Sequence, residues 1–188
     1  MSMSANTEGH RGLSRSPAFC VTNIQVFLRP DTDTEVEALN AALFNTCMRS
    51  EEEGGALLTS LRGTPLLSKF RARHAYDTMI ERMLGEASHA DRFVKALSFI
   101  RLLESEGFTS EYSQLSLLAC LQKLGMQTEL KRELQNSGYP LSQLQEVIDR
   151  LRAGSSNPVM LELFEQLDLH LVQLFQQEQT AVADATKI

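Results

Sequence analysis

Tryptophan is missing from this chain of 188 residues, and the other aromatics are sparse, with Tyr 3 and Phe 9. Leucine is abundant instead, and Leu-rich segments poor in β-branched residues favour helix over sheet. Gly 10 and Pro 5 are few, and 43% hydrophobic with 22% charged residues is ordinary for a soluble globular protein. The three cysteines, Cys20, Cys47 and Cys120, are odd in number, far apart and without CxxC spacing. That usage speaks against a disulfide framework and fits reduced thiols in the cytoplasm. Cys47 and Cys120 lie in apolar surroundings and read as small core residues. No apolar run reaches the roughly 18–20 residues of a membrane-spanning helix. GxGxxG, P-loop, HExxH and GxSxG signatures are all lacking, and so is any fixed-period repeat.

What is present is a run of helix signals. Thr32 with Glu35 fits a capping box, and Val36, Leu39, Leu43, Phe44 and Cys47 recur at helical spacing. "EEEGG" ends that helix or leads into a short one through Leu57, Leu58 and Leu61. Thr64-Pro65 opens a long helix that Gly85 closes, with proline where its missing N–H does no harm. Ser88 with Asp91 opens the next, which Gly107 follows. A further helix spans Ser110 to Leu124, with Gly125 as its stop. Two more are punctuated by Gly138 and Gly154, and Asn157-Pro158 opens the last. Connections of two to five residues favour antiparallel neighbours.

Helical projection at 100° per residue separates these segments by role. The 110–124 helix points Tyr112, Leu115, Leu117, Leu118, Leu121 and Leu124 all round, the pattern of a central element. In the last helix Met160, Leu163, Phe164, Leu167, Leu171, Leu174 and Phe175 share one sector, which Leu161 and Val172 widen to about half the circumference. One neighbour cannot cover so wide a stripe. The expectation is docking in a groove of the chain's own core beside the 110–124 helix, with self-association as the alternative. Leu169 stands alone on the polar side. In the helix from Pro65, Arg73 and Asp77 project into the sector of Leu66, Phe70, Ile80 and Leu84. Either the helix bends there and both charges reach solvent, or the pair marks a semi-buried recognition spot.

The fold expected is therefore all-α: a compact single-domain bundle of seven to eight helices over residues 21–180. At most one short N-terminal strand or extended segment accompanies it, at "VTNIQVFLRP". Residues 1–20 read as a disordered Ser-rich tail and 181–188 as a flexible C-terminal one.

Charge is uneven around the net −6. Residues 62–101 carry 8 Lys/Arg against 4 Asp/Glu, whereas residues 102–188 carry 6 against 12. The basic segment is suited to steering an acidic partner. Glu86 and His89 have the ExxH spacing of di-iron bundles, but one such motif without further glutamates does not make that site. His74, Asp77 and Glu81 could face one way, a pattern common on any charged helix. Asp168 and His170 point to different sides. No cofactor or metal is expected from these residues.

The functional expectation is a non-enzymatic protein–protein interaction or regulatory module, an adaptor in a larger assembly. Its candidate partner-facing residues are Lys69, Arg71, Arg73, Asp77 and Leu169, and its partner is another protein or a second copy. A secretion-associated bacterial effector is one version that the Ser-rich leader admits; otherwise a cytoplasmic location is expected. A nucleic-acid-binding regulator using the basic helix at 69–74 is the alternative, disfavoured by a pI of about 5.3. An enzyme whose site is not visible as a motif is the second alternative.

Overall fold

A computed structural model describes residues 33–86 and 90–185, and every regular element among them is a helix. They are α1 (Asp33–Arg49), α2 (Glu51–Ser60), α3 (Pro65–Ala72), α4 (Ala75–Gly85) and α5 (Arg92–Ser105), followed by α6 (Glu111–Lys123), α7 (Gln127–Ser137), α8 (Leu141–Gly154) and α9 (Pro158–Ala185). The all-α expectation holds for these residues. The expectations placed on residues 1–32, on Ser88 and His89, and on residues 186–188 lie outside the described residues.

The boundaries follow local chemistry. Ser50 and Thr64 cap α2 and α3 by accepting from the N–H groups of Glu53 and Leu67. Ser110 and Ser113 close a reciprocal capping box at the start of α6, each hydroxyl accepting the other residue's backbone N–H. Gly107, Gly125 and Gly138 adopt φ of 75°, 70° and 65° after α5, α6 and α7, in the left-handed region where a side chain is penalised.

Nine helices appear among the described residues, rather than seven or eight, chiefly because the segment opened by Pro65 divides. His74 takes a left-handed conformation (φ 49°, ψ 35°) between α3 and α4. The cause is aromatic packing. In one unbroken helix Phe70 and Tyr76, six positions apart, would point about 120° from each other. The break turns both rings onto Phe108 of the α5–α6 connection, at centroid distances of 6.4 and 5.8 Å. Burying these rings together offsets the roughly 1–2 kcal/mol of a left-handed residue.

The core runs through the whole bundle. Every residue of α6 from Leu115 to Leu121 is buried, nearly two complete turns, so no side of it faces water there. Helices α4, α5, α7, α8 and α9 surround it. Met160, Leu163, Phe164, Leu167, Leu171 and Leu174 of α9 are buried against α4, α6 and α8. The wide stripe of the last helix is thus covered by its own chain. Beyond Phe175 the character of α9 changes: residues 176–182 are all exposed, Val182 at 65%.

Candidate functional site

The residues that sequence reasoning grouped as partner-facing fall on two surfaces. Lys69, Arg71, Arg73 and Asp77 surround the α3–α4 break. Leu169 stands on the outer side of α9, exposed at 59%.

At the break most of the polar groups serve the fold. Lys69 Nζ lies 3.6 Å from Glu35 Oε2 on α1. The Arg71 guanidinium donates to the carbonyl of Gly107 and sits 5.0 Å from the Phe108 ring centroid. Arg62, nearby in sequence, makes a two-pronged ion pair with Glu106, which holds that carboxyl below its ordinary range. Arg82 and Arg92 lie over Phe44 and Phe93 at 3.9 and 4.7 Å. A basic segment that looked free in the sequence thus spends several of its cations on rings and carboxylates of the same chain. Arg73 reaches solvent, as expected if the helix bends.

Asp77 does not. It is half-buried, with its Oδ1 accepting the Ser110 hydroxyl at 2.6 Å, and burial raises its carboxyl above the usual range. His74 Nδ1 lies 3.9 Å from Asp77 Oδ2 and 2.8 Å from the Tyr76 oxygen, while Tyr76 donates to the carbonyl of Thr109 at 3.2 Å. Serine, aspartate and histidine meet here, but in an order that does not activate the hydroxyl. In a hydrolytic triad the imidazole stands between hydroxyl and carboxylate. Here the carboxylate stands between, so the Ser110 hydroxyl donates to Asp77 and the imidazole lies on the carboxylate's other oxygen. The cluster is a latch between the helix break and the start of α6. No group of three possible metal ligands comes together among the described residues.

The other notable concavity was not foreseen. A cleft of about 210 Å³ opens where α5, α6, α7 and α8 converge. Leu115 and Leu118 of α6 with Leu144 and Val147 of α8 form an apolar floor. Tyr139, in the α7–α8 connection, is exposed at 41% on its rim. Glu104, Glu111 and Glu133 stand around it with Gln114, Asn136 and Gln143. These last three are exposed, and their amide side chains make no hydrogen bond with the described residues. The sequence carried one signal of this. The 110–124 helix is apolar on every side, which marks it as central, and "NSGYP" marks the turn that carries Tyr139.

Cys47 and Cys120 are buried, and burial pushes both thiols up to about 12, far from the range of a reactive thiolate. Compared with protein-family models, curated proteins and solved structures, the chain matches none of them.

Proposed function

We propose that this protein is a non-catalytic binding module that receives an apolar side chain of another polypeptide in the cleft between α5 and α8. The observation that carries the reading is the combination at one place of an apolar floor, an exposed tyrosine and three unpaired amide side chains. Ligand-binding concavities have this composition: mostly apolar walls with a few polar groups that fix orientation. Tyrosine is enriched where partners meet because it offers a large apolar face at little entropic cost. The charged residues around the α3–α4 break support the reading less well, since Lys69, Arg71 and Asp77 already have partners within the chain.

A photo-crosslinking amino acid placed at Tyr139 tests the proposal in cells that naturally make the protein. The expected result is a covalent adduct of discrete mass from position 139 and none from position 169. Adducts from position 169 alone would transfer the binding role to the outer side of α9 and overturn the reading.

A further inference from the structure

The cleft is polarised, and its polarity specifies the partner. Among the described residues Glu104, Glu111 and Glu133 line it, and no lysine or arginine does. Arg101 donates to Glu104 Oε2 at 2.9 Å and to Glu133 Oε1 at 2.6 Å, bracing α5 against α7. Arg132 approaches the same Glu133 oxygen at 3.8 Å, and Arg150 approaches Glu111 Oε2 at 3.5 Å. The arginines thus engage one oxygen of each carboxylate. The second oxygen of each has no hydrogen-bond donor among the described residues. Ionised carboxylates accept several hydrogen bonds on two oxygens, so the arginines orient the glutamates without exhausting them. The three glutamates and Arg101, Arg132 and Arg150 balance one another, so the negative field rests on the acidic excess of residues 102–188 as a whole, 6 Lys/Arg against 12 Asp/Glu.

We infer that the cleft takes a cationic segment of a different protein, an inference that rests on the cleft being the binding site. One apolar side chain of that segment rests on Leu115, Leu118, Leu144 and Val147, and flanking Lys or Arg residues donate to the three glutamates. Gln114 and Gln143, exposed on the rim, are placed to pair with the segment's backbone. A second copy of this chain is the poorer occupant. Its basic stretch, residues 62–101, has Arg62, Arg71 and Arg101 engaged internally.

The test uses the full chain and four synthetic labelled peptides. Three share one amphipathic apolar pattern, with lysine, glutamine or glutamate at the polar positions. The fourth has the lysine peptide's composition with its apolar residues dispersed. Fluorescence anisotropy is expected to show saturable binding of the lysine peptide, about tenfold tighter than the glutamine and dispersed peptides, and weakened by added salt. Gln114→Arg and Gln143→Trp, both at exposed positions, are expected to reduce that binding about tenfold, with an unchanged circular dichroism spectrum. Leu169→Ala is expected to leave it unaltered.

Equal binding of the lysine and glutamine peptides, abolished by Gln143→Trp, would overturn the charge assignment and leave the cleft as a binding site. Lysine-peptide binding that ignores both cleft substitutions would place the cationic site elsewhere and overturn the inference. Sedimentation that shows the chain self-associating, with Gln114→Arg dispersing the assembly, would make a second copy the occupant and overturn it too.

Discussion

The sulfur of Cys47, near the end of α1, fills the space that a side chain on Gly54 of α2 would need. A Cβ built at Gly54 would lie 2.3 Å from Cys47 Sγ, well inside van der Waals contact. The close crossing of α1 and α2 therefore depends on both residues. Gly54→Ala would gain about 1 kcal/mol of helix propensity, yet it is expected to lose a net 1–3 kcal/mol, roughly the cost of overpacking a core. In a Cys47→Ala background the same change should become stabilising. A double-mutant cycle in urea measures the coupling; additive effects would refute the contact.

Thiol chemistry gives a second check. With Cys47 and Cys120 buried and their thiols pushed up to about 12, neither should react with iodoacetamide at pH 8 while the protein is folded. Peptide mapping by mass spectrometry is expected to find both alkylated only after denaturation. Labelling of either one in the native protein would show local opening of the core.

Asp77 makes the pH dependence specific. Burial raises its carboxyl in the fold, the Ser110 hydroxyl and the His74 imidazole counteracting only in part. Folding thus disfavours the ionised form. The penalty is absent below the unfolded-state value and fully present above the raised one, so the contribution of Asp77 to stability falls as pH rises through that interval. Asp77→Asn keeps an oxygen to accept from Ser110 and removes the charge. It should be at least as stable as wild type at pH 7 and lose that advantage as the pH is lowered through the carboxylate range. Thermal melts at pH 3 to 7 read the crossover.

Two serines on α6 should behave oppositely. Ser116 is wholly buried and its hydroxyl has no partner among the described residues, so Ser116→Ala is expected to be neutral or stabilising by up to about 1 kcal/mol. Ser110 caps the helix and donates to Asp77. Ser110→Ala should cost about 1–2 kcal/mol from the cap alone, and more from the half-buried carboxylate left without its donor. Urea midpoints compare the pair directly.

The last helix supplies the most severe substitution. Leu174 is buried in the groove formed by the chain itself. Leu174→Asp would remove its apolar burial and leave a charge there without a partner, an expected loss of about 4 kcal/mol or more. That is from about a quarter to most of the roughly 5–15 kcal/mol by which a typical domain is stable. Far-ultraviolet circular dichroism should show unfolding. A folded variant that had only lost an oligomer would assign the stripe to an interface instead.

Periodicity carried most of the architecture. The half-circumference stripe of α9 and the all-round apolar surface of α6 follow from hydrophobic spacing alone, and glycines marked the ends of α4 to α8. The break at His74 was not legible, because nothing local to "RARHAYD" stops a helix. Its cause is Phe108, more than thirty residues away, and a tertiary contact of that kind overrides propensity. The same reason explains the basic segment. Arg71 looked available because its partners, Gly107 and Phe108, are distant in sequence. Leu169 was readable as exposed because its helical neighbours are polar. The cleft needed four helices to be placed, and single-helix projections do not contain that information.

The position of α6 has a consequence for the order in which the molecule assembles. Chains emerge from the ribosome N-terminus first, so α6 is synthesised well before α9, the rod that covers one side of it. Until α9 arrives, Tyr112, whose ring packs edge-on against Phe164 of α9 at 5.7 Å, has water, a chaperone or another nascent chain as its neighbour. Premature termination anywhere before Met160 would leave that surface permanently uncovered, and such fragments should clump rather than circulate as smaller folded pieces.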